Sequence, residues 1–164
     1  MILDLKKLFA DKTGTIPFDY GMDMSSTEMN GAFPFVSPVR VQGTVTAKDG
    51  FACLAVKASF DFSAPCDRCA RQVDKRCDYS FSHILVRSLE NEDDDRYIEV
   101  RDEKLNLDQL VREDILLELP TKFLCREDCR GICPKCGKNL NDGPCGCSPE
   151  AADARFDVLK NLIH

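Results

Sequence analysis

The residues of this chain that could do chemistry are its cysteines, ten of them in 164 residues, and most are not scattered. Eight fall into close groups: Cys66 with Cys69, Cys125 with Cys129, Cys133 with Cys136, and Cys145 with Cys147. Closely spaced thiols belong either to a disulfide framework or to a metal shell. Disulfides persist in oxidising compartments and are densest in small secreted domains. The opening run, MILDLKKLFADKTG, carries isolated apolar residues instead of a continuous apolar stretch and does not read as a secretory leader. No segment approaches the roughly 18 apolar residues that span a bilayer. The expectation is a cytoplasmic protein with no membrane partner, whose thiols hold metal.

Zinc is the metal that the spacing favours. It is satisfied by four thiolates in a tetrahedron, and a CxxC turn aims two sulfurs at one ion. Cys133-Pro-Lys-Cys136-Gly137 is such a turn, with Gly137 suited to the positive φ that follows the second ligand. Cys145 and Cys147 come shortly after, so Cys133, Cys136, Cys145 and Cys147 form the tightest local quartet. The second expected quartet is Cys66, Cys69, Cys125 and Cys129, which would pin a strand-to-strand turn to the C-terminal part. A rival arrangement puts one zinc on Cys66, Cys69, Cys133 and Cys136. Two Zn2+ per chain are favoured over one. Cys53 and Cys77, each inside a strand-like run, read as core residues, since unpaired cysteine is among the most buried residue types.

Nothing in the sequence points to catalysis. Catalytic zinc keeps an open position, usually among histidine or carboxylate ligands. This chain has two histidines: His83 lies in an alternating run and His164 is the last residue, neither beside a cysteine pair. There is no P-loop, GxGxxG, HExxH or GxSxG pattern, and no HxE precedes CPKC. The chain is expected to be non-enzymatic, with no small-molecule substrate.

The elements that must position these thiols are of two kinds. From Phe33 to about Arg87 the texture is β. Val39, Val41, Gly43 and Val45 alternate with Arg40, Gln42, Thr44 and Thr46, the period of a half-buried strand. Asp49-Gly50 supplies a hairpin turn, a second strand runs from Phe51 to Phe62, the CDRC turn follows, and a third spans about Val73 to Val86. Ile16–Tyr20 suits a short strand and Asp23–Asn30 a loop. Residues 90–103 are strongly acidic and read mostly as a solvated loop, with Tyr97–Val100 as a short strand. Leu107, Leu110, Val111, Ile115 and Leu119 recur at helical spacing; Asn106 and Gln109 suit N-cap and N3, and Pro120 ends the helix. A closing helix is expected from Ser148 and Pro149 onward. The fold class is therefore α+β, an antiparallel meander with a packed helix, divided as a β-rich core (1–122), a zinc module (123–147) and a C-terminal helix (148–164).

The net charge of −6 argues against a generic nucleic-acid binder. Around the cysteines, however, basic side chains outnumber acidic ones: Arg68, Arg71, Lys75, Arg76, Lys122, Arg126, Arg130, Lys135 and Lys138 against Asp67, Asp74, Glu127 and Asp128. Each zinc bound by four thiolates carries net negative charge, so two such sites cancel most of that local excess.

The run LPTKFLCREDCRGICPKCGKNLNDGPCGC (119–147) resembles the YceD-like family of bacterial proteins, as do the upstream CDRC, the LVREDILLELP helix and the closing ARFDVLKNLI. The resemblance covers essentially the whole chain. It implies a role in the accumulation of large-subunit (23S) ribosomal RNA, hence in ribosome biogenesis. The partners to expect are then 23S rRNA or its precursor, met by Arg68, Arg71, Lys122, Arg126, Arg130, Lys135 and Lys138. The alternative is a protein-interaction adaptor for a ribosomal protein or a nuclease, without RNA contact.

Overall fold

In the computed structural model, residues 1–88 and 96–148 are described. The expected closing helix, from Pro149 on, lies outside them. Five strands make the main sheet, in the order β2 (Thr15–Met22), β3 (Val39–Lys48), β4 (Phe51–Pro65), β5 (Gln72–Val86) and β6 (Tyr97–Glu99). The first four pair antiparallel as a meander. The β3–β4 hairpin closes on Asp49-Gly50, where only Gly50 takes a positive φ, of 97°. β6 departs from the expected meander. It runs parallel to β5, with Ile84 opposite Tyr97, so the sheet is mixed. A parallel partner cannot be reached by a tight hairpin, so the meander ends at β5.

Burial in β4 follows the period of a strand. Ala52, Leu54, Val56, Ala58, Phe60, Phe62 and Ala64 are buried, and the residues between them face the more open side. Cys77 of β5 joins this core. Cys53 does not. It is only partly buried, on the open side opposite Thr46 and Ile84, because its odd position in β4 points away from the core. The expectation of a core role for Cys53 is thus corrected.

The inner face is covered by α2 (Leu107–Glu118). Its N-cap is Asn106, whose side chain accepts the backbone N–H of Gln109 at 3.3 Å, and it buries Leu107, Val111 and Ile115. Pro120 follows the end of the helix, because it has no N–H to continue the ladder. A His83 to Asp114 contact of 2.8 Å ties the helix to β5. The elements that periodicity misses are small: β1 (Ile2–Asp4) paired with β7 (Lys104–Asn106), and the six-residue α1 (Lys6–Asp11). Among the described residues no helix is long and apolar enough to cross a membrane.

An aromatic chain carries the core toward the cysteines. Phe35 meets Phe60 and Phe62, with ring centroids 5.2 and 5.5 Å apart, and Phe62 stacks on Phe123 at 4.5 Å with rings nearly parallel. Phe62 belongs to β4 and Phe123 to the cysteine-rich segment, so the stack is where the two are packed together. Replacing Phe62 with Ala removes a fully buried ring and leaves a cavity at that joint. The expected loss is about 3–5 kcal/mol of unfolding free energy, read from denaturant titration.

Candidate metal centres

Both expected quartets assemble. The sulfurs of Cys66, Cys69, Cys125 and Cys129 lie within 4.8 Å of one another, and so do those of Cys133, Cys136, Cys145 and Cys147. The rival pairing of Cys66 and Cys69 with Cys133 and Cys136 is not the one the fold brings together. In the first quartet the sulfurs of Cys66 and Cys129 are 3.8 Å apart, and those of Cys69 and Cys125 are 3.6 Å apart. A disulfide requires about 2.0 Å. A tetrahedron with metal–sulfur bonds of about 2.3 Å has edges of about 3.8 Å. The spacing therefore fits a cation of that size, and each quartet could hold a metal ion.

The two CxxC turns share one backbone solution. The Cys66 N–H donates to the Arg71 carbonyl and the Ala70 N–H to the Cys66 carbonyl, both at 2.8 Å. The Cys133 N–H donates to the Lys138 carbonyl at 2.8 Å and the Gly137 N–H to the Cys133 carbonyl at 2.9 Å. The residue after the second ligand is left-handed in each, Ala70 at φ 56° and Gly137 at φ 72°. Glycine adopts that conformation freely, whereas alanine does so at a cost of about 1–2 kcal/mol. The first turn therefore holds Ala70 against its own preference.

The first quartet is a shared structure. Cys66 and Cys69 lie on the turn between β4 and β5, and Cys125 and Cys129 follow α2. The joint is bonded in both directions: the Asp67 N–H donates to the Phe123 carbonyl at 2.8 Å, and the Phe123 N–H donates to the Asp67 carboxylate at 2.7 Å. Arg68 donates to the Cys129 carbonyl at 2.8 Å. Cys66, Cys69 and Cys129 are buried and pack with Val73 and Leu124 as a small cluster separate from the main core. Gly131, at φ 75°, passes so close that a Cβ there would meet the Arg68 carbonyl oxygen at 2.9 Å. The second quartet is more open: Cys133 is buried, Cys145 intermediate, and Cys136 and Cys147 exposed.

Electrostatics separates the thiols within each group. Burial pushes Cys66 up, but backbone N–H groups of Cys125, Arg68 and Cys69 bring it down to about 6. Cys133 is lowered to about 6 by the N–H groups of Cys136 and Lys135. Burial and then the neighbouring thiols of Cys129, Cys69 and Cys66 push Cys125 up to about 12. Contact with Cys136 and Cys145 pushes Cys147 up to about 12. Once one sulfur in such a group is charged, the next resists ionising unless a cation is present.

Sequence reasoning missed Asn141. Its amide donates to the Cys129 sulfur at 3.3 Å and to Asn139 at 2.8 Å, and accepts the Arg130 N–H at 2.8 Å and an Arg126 guanidinium N–H at 2.9 Å. The only sequence cue is the Asn-Leu-Asn spacing, where Asn139 caps the short 3-10 turn Leu140–Asp142. The basic residues sort by their partners. Arg68 and Arg126 brace the first quartet; Arg71 pairs with Asp142 at 3.2 Å, and Lys138 donates to the Pro144 carbonyl at 3.0 Å. Lys122, Arg130 and Lys135 are exposed, and their side chains make no ion pair among the described residues.

The fold and its sites thus define a β-sheet protein with two tetracysteine clusters, one shared between a sheet turn and the segment after α2 and the other within that segment. The chain belongs to the YceD family, described as "Large ribosomal RNA subunit accumulation protein YceD", which matches residues 54–163; membership implies a role in that accumulation. It is 29% identical over 156 residues to the uncharacterized protein YlbN of Bacillus subtilis (strain 168), covering 89% of this chain and 87% of that one. An uncharacterized Mycobacterium tuberculosis protein is 31% identical over 102 residues, 60% of this chain and 49% of its own length. A chloroplastic Arabidopsis thaliana protein, "Large ribosomal RNA subunit accumulation protein YCED homolog 1", is 34% identical over 59 residues, 36% of this chain and 18% of its own. No solved structure matches the chain.

Two predictions follow from the site geometry. Metal ligation needs thiolates, and near neutral pH the metal-free protein keeps protons on Cys125 and Cys147. Binding must expel them, so affinity rises with pH. It falls more steeply below about 6, where Cys66 and Cys133 also take up protons. Competition with a calibrated chelator across that range reads the slope, and a flat profile contradicts the assignment. The second prediction compares glycines. Gly131→Ala weakens metal retention and stability more than Gly137→Ala, whose added Cβ meets nothing within 4 Å and whose cost is backbone strain alone, about 1–2 kcal/mol.

Proposed function

We propose that this chain is a cytoplasmic, non-enzymatic zinc protein that supports accumulation of 23S ribosomal RNA by binding that RNA or its precursor. The observation that carries the reading is the membership of a family described by large ribosomal RNA subunit accumulation, in a chain whose cysteine sulfurs gather into two groups of four that could each hold a metal ion. Four thiolates leave a metal no open position for water, so its contribution is structural. Zinc suits such a shell because it is redox-inert and has no geometric demand beyond the tetrahedron. In small modules metal-binding energy is largely folding energy, and the second quartet sits in a segment with few buried apolar side chains.

Contact with RNA falls to the residues that the clusters do not use. Lys122, Arg130 and Lys135 are exposed and keep their charges available for phosphate, whereas Arg68 and Arg126 are engaged in holding the first quartet. Phosphate contacts dominate RNA affinity and make it depend on salt. The expected surface is therefore a small one, on a protein whose net charge is −6.

The test is crosslinking of the tagged protein in its own cells, followed by sequencing of the attached RNA. A defined 23S or precursor segment is expected. Neutralising the three cations together (Lys122→Gln, Arg130→Gln, Lys135→Gln) should weaken binding to that segment and reduce the salt slope by about two units, at roughly 0.7 per single-strand phosphate contact. Unchanged affinity and slope would remove these residues from the interface. Capture of a ribosomal protein or nuclease that survives RNase, with no RNA enrichment, would make the chain a protein-binding adaptor instead.

A further inference from the structure

Asn141 lies in the loop between Cys136 and Cys145, which must close to gather the second quartet, yet its side chain is bonded to the first. Its four polar valences are all used. Both amide hydrogens are donated, to the Cys129 sulfur at 3.3 Å and the Asn139 side-chain oxygen at 2.8 Å. Its oxygen accepts from the Arg130 N–H at 2.8 Å and from Arg126 at 2.9 Å. The opposite placement of the amide would set its hydrogens against two N–H donors, so the network admits one orientation. The chain between the quartets is held at the same place: the Leu140 N–H donates to the Gly131 carbonyl at 2.9 Å, and Ile132 pairs with Asn139 as an isolated bridge.

We propose that Asn141 couples the two metal centres, so that a metal held by Cys133, Cys136, Cys145 and Cys147 raises the affinity of Cys66, Cys69, Cys125 and Cys129 for theirs. The proposal rests on the reading of both quartets as metal sites. Closing the second shell fixes the loop from Cys136 to Cys145 and, with it, the turn that carries Asn141. That turn then presents a pre-placed donor to the Cys129 sulfur and holds the Arg130 backbone beside it. Without the second metal, the first site must order this loop at its own expense. Coupling between sites is reciprocal, so a metal in the first quartet tightens the second by the same factor. Asn141 is a positioning residue, because it touches a ligand atom and not the metal.

The test uses the full chain and cobalt(II) alone as the probe, since thiolate-bound cobalt has charge-transfer and ligand-field absorption that reports each site. Disabling the second quartet with Cys145→Ser and Cys147→Ser should weaken the first by about tenfold. In an Asn141→Asp background, the same two substitutions should leave the first site's affinity unchanged within about twofold. Aspartate keeps the acceptor for Arg130 and Arg126 but replaces the donor with a charged oxygen facing the Cys129 sulfur and Asn139; Asn141→Leu, which removes the donor without adding charge, is therefore the second variant. Native mass spectrometry at half-saturation should show a smaller share of singly loaded chains in the wild type than in both Asn141 variants. A first site indifferent to loss of the second, or weakened equally in both backgrounds, overturns the coupling and leaves the metal sites standing. Absence of tetrathiolate cobalt bands from the wild type overturns the metal reading and the coupling with it.

Discussion

Four sulfur atoms within 4.8 Å of one another set the constraint on which the rest of this structure depends. As thiols they fill space poorly, and as thiolates they repel. Backbone N–H groups stabilise the first negative charge at Cys66 or Cys133, after which Cys125 and Cys147 are driven toward the protonated state. Only a cation reverses that order. The backbone is arranged for that outcome: the amides that lower Cys66 come from both sides of the joint, Arg68 and Cys69 on the turn and Cys125 on the incoming segment. The candidate metal centre and the packing of the two segments are therefore one arrangement.

The sheet serves this arrangement more than it carries chemistry itself. Among the described residues no polar or charged residue is buried. The interior is a plain hydrophobic core extended by the Phe35, Phe60, Phe62 and Phe123 rings to the edge of the first quartet. Beyond Phe123 the main core gives way to a small cluster centred on cysteines. The cysteine cluster is too small to be ordered by apolar burial alone. A long β4 strand anchors one pair of ligands rigidly, and the helix that precedes Cys125 is fastened to the sheet by Leu107, Val111 and Ile115.

The basic residues show how folding alters a charge count. Read as a sum, they form a modest positive patch. In the fold, Arg68 and Arg126 stay exposed but are bonded to carbonyl and amide oxygens, Arg71 is paired with Asp142, and Lys138 closes the loop onto Pro144. Arg76 is paired with Asp61, and what remains is a sparse set: Lys122, Arg130 and Lys135, with Lys75 on β5.

Sequence alone determined the elements whose cause is local. The alternation at Val39 to Thr46, the Asp49-Gly50 turn, the helix from Asn106 to Pro120 and the turn at Cys133 to Gly137 are each written within a few residues, because a strand's period, a cap and a knuckle are short-range matters. The first quartet was legible as a possibility, since closely spaced thiols demand partners, but its choice over the rival arrangement belongs to the tertiary structure. That choice depends on where α2 delivers Cys125 relative to the turn that follows β4, and helix docking is set by packing across the whole sheet. The same reason hid the parallel β6, the β1–β7 pair, the open-side position of Cys53 and the part played by Asn141. In each, the partner lies on another segment, and only the folded chain brings the two together.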